Sequence, residues 1–256
     1  MTTVLKLGGS ILEPEPQPGM MAAIAAAHAA GERLAVVHGG GKALTALLGR
    51  LGVATEFRRG LRVTTPATLA AAVMALAGEV NTKLVAALNA AGVPAVGLTG
   101  MDAGAVRAEA ADPELGAVGA VTGAEARLWQ GLMALGYVPV LAPLASDGRG
   151  GLLNVNADQF AAAAAGALGA ARLLFVTDVE GVLDDAGRPL ATASLAALAQ
   201  LTRAGTLHGG MLPKSDACRS ALGAGVGAVR IVGAAAALRL PELITGRLHA
   251  GTTITG

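Results

Sequence analysis

The sequence predicts an α/β protein built on a central, mainly parallel sheet. Three observations lead there. Short apolar runs end in glycine clusters and pass into helical patterns at residues 4–10 and again at 34–51, the alternation of a parallel sheet with ligand-facing loops at its strand ends. Residues 173–177 repeat the buried-strand signal in the second half. No linker composition separates the halves, so a soft boundary near Ala170 divides two lobes, 1–170 and 171–256, that share one sheet.

Taken in order, residues 4–7 are the first strand, with Lys6 inside an apolar run and Gly8-Gly9 at its end. Residues 13–19 are proline-rich and read as loop. An alanine-rich helix over 20–30 is closed by Gly31. The strand 34–38 runs into Gly39-Gly40-Gly41, and 42–51 has helical spacing. Residues 57–64 are basic and broken by Gly60, and Pro66 suits a helix start. One long helix covers 68–91, with Gly78, Glu79 and Asn81 as unusual members. A strand at 95–98 ends at Thr99-Gly100, and 107–122 forms a small β-hairpin or lid. A helix over 124–135, a strand over 138–142 and a polar hairpin over 146–151 lead to L-L-N-V-N-A-D-Q and an alanine helix. After strand 173–177 come a helix at 193–204, a glycine-containing loop at 205–213, a helix at 214–224, a strand at 228–232 and a final edge strand at 251–255.

Composition narrows the function. The 256 residues include 19 basic and 18 acidic ones, a net charge of +1, without the basic face of a nucleic-acid or membrane-surface binder. Aromatic residues make up 2%, too few for a base-stacking platform. The longest apolar run, 160–171, is mostly alanine and shorter than the roughly 20 residues a membrane span requires. No charged-then-apolar leader precedes the first strand. A single cysteine, Cys218, excludes an internal disulfide, fits a reducing cytosol and has helix packing as its simplest role. His28, His38, His208 and His249 lack ligand spacing, so no metal site is expected.

The standard nucleotide signatures G-x-x-x-x-G-K-[ST] and G-x-G-x-x-G are absent. An unpaired buried ammonium is expensive, so Lys6 either points from a strand end into a phosphate site or is solvated on an edge strand. Gly8 and Gly9 would let backbone N–H groups approach the same anion. Residues 38–41 precede a helix N-terminus, which favours an anion, unless the glycines serve only a tight turn. Residues 209–214 bring a second lysine, Lys214, to a helix start behind a flexible loop. Asn154, Asn156 and Asp158 alternate and share one face if extended. Two carboxamides can bind a polar substrate, and an aspartate between two lysines can hold both. Asp158 also reads as the cap of the alanine helix, a role compatible with the first because a capping carboxylate still presents its second oxygen. Arg62 either forks onto a carboxylate or is an ordinary surface arginine.

K-L-G-G at Lys6, H-G-G-G at His38, G-L-R-V-T at Gly60, N-V-N-A-D at Asn154, T-D-V-E-G-V at Thr177 and G-G-M-L-P-K at Gly209 occur in one order. So do L-A-G-E-V-N at Leu76 and E-L-G-A-V-G at Glu114. In this order the chain resembles the amino-acid kinase family over nearly its whole length, and within it the branch acting on N-acetyl-L-glutamate. The resemblance implies a three-layer α/β/α sandwich whose sheet two lobes share, the first binding acetylglutamate and making dimer contacts, the second binding ATP. It implies phosphorylation of the γ-carboxylate, the second step of arginine biosynthesis, with Mg²⁺ carried on ATP and no protein metal site. Lys6 and Lys214 would stabilise the transition state, with Asp158 orienting them. Gly40, Gly41, Arg62 and Asn154 would bind acetylglutamate. Gly8, Gly9, Asp178, Val179, Glu180, Gly181, Val182, Leu183, Thr206, Leu207 and His208 would hold the nucleotide. A cytoplasmic homodimer is expected, with neither nucleic acid nor membrane as partner. Arginine-inhibited relatives carry an extra N-terminal helix for which this chain leaves no room before its first strand, so arginine insensitivity is also expected. His208 and the alanine-rich 232–237 depart from many relatives on the nucleotide side. Two rivals are a kinase acting on carrier-protein-bound aminoadipate, for which Arg58, Arg59 and Arg62 would supply a basic rim, and a non-catalytic small-molecule sensor.

Overall fold

A computed structural model describes every residue except Glu13 and Arg59, and leaves out the side chain of Ser10. Its strands are β1 (Thr2–Leu7), β2 (Arg33–His38), β3 (Phe57–Arg58), β4 (Leu61–Arg62), β5 (Ala95–Thr99), β6 (Val106–Ala110), β7 (Val118–Ala124), β8 (Val138–Ala142), β9 (Leu144–Ser146), β10 (Leu152–Val155), β11 (Arg172–Thr177), β12 (Thr192–Ser194), β13 (Ala228–Gly233) and β14 (Thr252–Thr255). Its α-helices are α1 (Gly9–Leu12), α2 (Pro18–Ala29), α3 (Gly41–Arg50), α4 (Pro66–Ala72), α5 (Asn81–Ala90), α6 (Arg127–Ala134), α7 (Ala157–Ala167), α8 (Leu195–Arg203), α9 (Met211–Gly223), α10 (Ala234–Ala237) and α11 (Leu240–Thr245).

One eight-stranded sheet crosses both halves in the order β12-β14-β13-β11-β1-β2-β8-β5. All its pairings are parallel except β13 with β14. All six residues of β1 are buried, as expected of a strand covered on both faces. Side-chain alternation divides the core. Val4, Val37 and Phe175 face one layer with Phe160, Ala161 and Ala217, while Leu5, Leu7, Val36 and Val176 face the other with Ile24, Leu84 and Leu88. Lys6 shares the phase of Val4, so it looks toward α7 and α9. Strand β1 lies between β2, the next strand in sequence, and β11, from the second half. The strand order reverses there, and the crevice beyond the carboxyl ends of such strands is where open α/β sheets bind ligands.

Several expectations are corrected. Helix α2 starts at Pro18, because proline suits the first helical position where its missing N–H is not needed. The loop expected over 13–19 is therefore shorter, and its Glu13 lies outside the described residues. The hairpin over 107–122 forms from β6 and β7, but β7 runs on to Ala124, so the helix expected from 124 begins at Arg127. β9 and β10 close with this hairpin into a small barrel. The helix expected from 193 starts at Leu195, since Thr192–Ser194 pairs as β12 and the Ser194 hydroxyl caps α8 by accepting from Ala197 N–H. That pairing also makes β14 interior, not the edge strand expected at 251–255.

The long helix is continuous from Pro66 to Ala90 and is, among the described residues, the one helix long and apolar enough by length and composition to cross a membrane. Its middle, Val73–Val80, is π-helical. The extra turn content brings Asn81 inward, where its Nδ2 donates to Val140 O and to His38 Nε2, 3.0 Å each.

Candidate active site

Three elements bring the two lysines together. β1 presents Lys6. α7 presents Asp158 from its first turn, where the helix dipole favours a carboxylate. α9 presents Lys214. The alanines of α7 let α9 come close, and a Cβ on Gly166 would lie 2.7 Å from Ala224 Cβ. Asp158 does not cap α7. Asn156 does, its Oδ1 accepting from Asp158 N–H and Gln159 N–H at 2.9 and 3.2 Å. The extended run ends at Val155, so Asn154, Asn156 and Asp158 do not share one strand face. With the cap supplied by Asn156, the Asp158 carboxylate is left for the lysines.

Lys6 Nζ lies 2.9 Å from Asp158 Oδ1. Lys214 Nζ lies 3.0 Å from Oδ1 and 3.0 Å from Oδ2, and 5.1 Å from the Phe175 ring centroid. Lys6, Asp158 and Lys214 are 9%, 6% and 5% exposed, so little water screens them. Burial alone would raise the Asp158 carboxyl, but attraction and hydrogen bonds from the two lysines outweigh it, and its pKa is lowered. Burial lowers the pKa of Lys214 despite its contact with Asp158, and the Lys6 charge adds to the lowering. The cluster carries two positive charges against one negative. That surplus would be neutralised by an anion arriving between the lysines.

The cluster opens on a cavity of about 1060 Å³, lined at its centre by Lys6, Gly8, Gly9, Asp158 and Lys214. On the β11 side it is lined by Thr177, Asp178, Val179, Gly181, Leu183, Thr206, Leu207 and His208. On the β2 side it is lined by Gly41, Lys42, Thr45, Phe57 and Arg62. Gly40, Asn154, Glu180 and Val182 do not line it. Asn154 Nδ2 donates to Thr64 Oγ1 at 3.2 Å. Val182 is fully buried, and its N–H donates to Thr252 Oγ1 at 2.8 Å. Gly40 is needed for close approach, since its φ is +152° and a Cβ there would lie 2.6 Å from Leu76 Cδ2. The Gly8 N–H, expected to face an anion, donates instead to Val176 O at 3.0 Å. Gly9 and Gly41 begin α1 and α3, where the first N–H groups have no partner within the helix.

Arg62, 9% exposed, is no ordinary surface arginine. Its Nη2 donates to Gly41 O at 3.1 Å and Thr45 Oγ1 at 2.7 Å, and its guanidinium lies 4.6 Å from the Phe57 ring centroid. Arg58 is paired with Glu56 and Glu114 at 2.7 and 2.9 Å, so it contributes no free charge to a rim, and Arg59 lies outside the described residues.

His38 belongs to the scaffold. It is fully buried, its Nδ1 bonds Gly39 O at 2.6 Å, and burial, reinforced by the Lys6 charge, lowers its pKa to about 4. The neutral ring donates from Nδ1 and accepts from Asn81 at Nε2, holding the glycine turn to the sheet. Asn81 stood out in the sequence as a polar member of an apolar helix. Lys42, Thr45 and Phe57 carried no such signal, because only the packing of α3 against the β3–β4 hairpin brings them to the cavity.

Residues 1–233 match the model of the amino acid kinase family. The chain belongs to this family. As an amino-acid kinase it is a phosphotransferase, and its sheet, switch point and paired lysines suit that chemistry. It is 48% identical over 247 residues to an acetylglutamate kinase of Solibacter usitatus, covering 96% of each chain. It is 42% identical to one of Acidobacterium capsulatum, covering 99% of each. Among solved structures it resembles smu.665 from Streptococcus mutans UA159, at 30% identity and a TM-score of 0.86 over 99% of this chain and 98% of that one. Carbamate kinase from Giardia lamblia bound to AMP-PNP, at 16% identity and a TM-score of 0.72 over 99% of this chain and 97% of that one, shares the fold.

Proposed function

We propose that this amino-acid kinase transfers the terminal phosphoryl group of ATP to the γ-carboxylate of N-acetyl-L-glutamate, giving the acyl phosphate and ADP in arginine biosynthesis. The observation that carries the reading is the meeting of Lys6 and Lys214 on Asp158, midway along one cavity between the Arg62 wall and the Asp178–His208 wall. The high identity to acetylglutamate kinases selects the acceptor.

A carboxylate is ionised at neutral pH, so the nucleophile needs no general base. The barrier is electrostatic: an anion approaches a polyanion, and charge shifts onto the bridging oxygens as the group passes in line. Two ammonium groups fixed by one buried carboxylate stabilise that charge without reorganising. In this reading Arg62 holds the α-carboxylate and the N–H groups of Gly9 and Gly41 assist. Asp178, Val179, Gly181, Leu183, Thr206, Leu207 and His208 contact the nucleotide. Residues 1–170 serve the acceptor and dimer contacts, and 171–256 serve ATP. In this reading Mg²⁺ arrives on the phosphate oxygens of ATP, since the ion keeps most of its waters. A cytoplasmic homodimer completes the proposal, and light scattering tests the dimer.

Hydroxamate trapping of the acyl phosphate tests the activity, with N-acetyl-L-glutamate, N-acetyl-L-aspartate, free L-glutamate and carrier-linked aminoadipate as acceptors. Strong preference for N-acetyl-L-glutamate is expected. Preference for the carrier-linked acceptor, or no product from any, would overturn the proposal.

A further inference from the structure

Positive charge gathers on the β2 wall of the cavity from three sources. Arg62 is buried and bonds neutral partners, the Gly41 carbonyl and the hydroxyls of Thr45 and Thr55. Lys42, one residue beyond Gly41, is exposed on the same wall. Both stand at the start of the ten-residue α3, whose first turn holds no acidic residue. A lysine in a first turn is unfavourable by itself, because the helix dipole is positive there. Among the described residues neither Lys42 nor Arg62 pairs with a carboxylate. Lys42 and Thr45 are three apart on the helix and so neighbour one another, and Thr45 accepts from Arg62. Lys42 and Arg62 thus line the same wall on either side of Thr45, and an anion entering there meets both cations.

We propose that Lys42 is a positioning residue for the acceptor: its ammonium joins Arg62 on the α-carboxylate and makes the enzyme selective for acceptors with a second free carboxylate. This rests on the acetylglutamate reading above. One guanidinium suffices to neutralise one carboxylate. The second cation favours a full negative charge over a neutral amide of the same shape. Because Lys42 is exposed, its effect is that of a solvent-screened pair.

The test measures kcat and KM for N-acetyl-L-glutamate, and the inhibition constant of its α-amide, on wild type, Lys42→Gln and Lys42→Arg at low and high KCl. At low salt Lys42→Gln should raise the KM for N-acetyl-L-glutamate about three- to fivefold, the size of one exposed charge pair. The kcat, the KM for ATP and the inhibition constant of the α-amide should hold. High salt should shrink the difference, and Lys42→Arg should keep the wild-type KM. An unchanged KM in Lys42→Gln, or equal weakening of acid and α-amide, would overturn the assignment. A wild-type enzyme that makes no acyl phosphate from N-acetyl-L-glutamate would instead overturn the proposed function on which it rests.

Discussion

Replacing Asp158 by asparagine keeps its shape and removes its charge. The two ammonium groups lie 2.9 and 3.0 Å from the same carboxylate oxygen, which puts them within about 6 Å of each other. At that separation and an effective dielectric constant of about 20, two like charges repel by ~3 kcal/mol. The lysines also lose an anionic acceptor at a site almost closed to water, and breaking a buried ion pair from one side typically costs about 3–5 kcal/mol. Asp158→Asn should therefore lose about 3–5 kcal/mol in urea denaturation at neutral pH; urea is preferred because guanidinium would screen the charges under test. Turnover should fall at least about a hundredfold, since the lysines lose the group that orients them. A second change, Lys6→Met in the Asp158→Asn background, removes the repulsion and should restore much of the stability but none of the turnover. A loss in Asp158→Asn below about 1 kcal/mol, the range of exposed pairs, would refute the reasoning. So would a double variant no more stable than the single one.

Lys6→Ala and Lys214→Ala should each lower kcat at least about a hundredfold in the hydroxamate assay, the effect of losing one preorganised donor, and near-normal turnover in either would contradict the assigned roles. Arg62→Ala should raise the KM for N-acetyl-L-glutamate about tenfold or more, as expected for a charged hydrogen bond, with the KM for ATP unchanged; a fall in kcat alone would contradict a binding role. His38 has its pKa lowered from 6.5 to about 4, so its contribution is present above pH 6.5 and is lost as pH falls toward 4, because the unfolded chain takes the proton first. Between neutrality and pH 5 wild type should lose about 2 kcal/mol more than His38→Gln in urea titrations, and equal losses would refute this. A Cβ on Gly97 would lie 2.1 Å from Asn81 Oδ1, so Gly97→Ala should displace Asn81 from His38 and lower the Tm by at least about 4 °C; an unchanged Tm would show that Asn81 has room to move.

The parallel sheet was legible because each of its central strands is a short apolar run, and the strand-to-glycine-to-helix pattern is local. The two lysines were legible for the same reason: an ammonium inside an apolar strand, and another behind a glycine loop, each violate local expectation. Other features depend on contacts between distant segments. The small barrel joins β6 and β7 to β9 and β10, and no local pattern marks such closure. β14 became interior because Thr192–Ser194 pairs with it, although the same residues read well as the start of α8. The Gly8 N–H looked free for an anion until the neighbouring strand end brought Val176 O to it. Asp158 resembled a helix cap, and only the turn geometry gave that task to Asn156.

By itself the sequence determined the fold class, the succession of most strands and helices, and which charged groups had to be explained, because periodicity and isolated buried charge are properties of neighbouring residues. Tertiary structure alone decided that Lys6 and Lys214, more than two hundred residues apart in the chain, share one carboxylate oxygen, and that Lys42 and Arg62 line one wall of the same cavity. The reason is physical: side-chain phase along β1 and the close approach of α9 to the alanine-rich α7 are set by packing across the sheet, and only that packing turns three separate segments into one electrostatic unit.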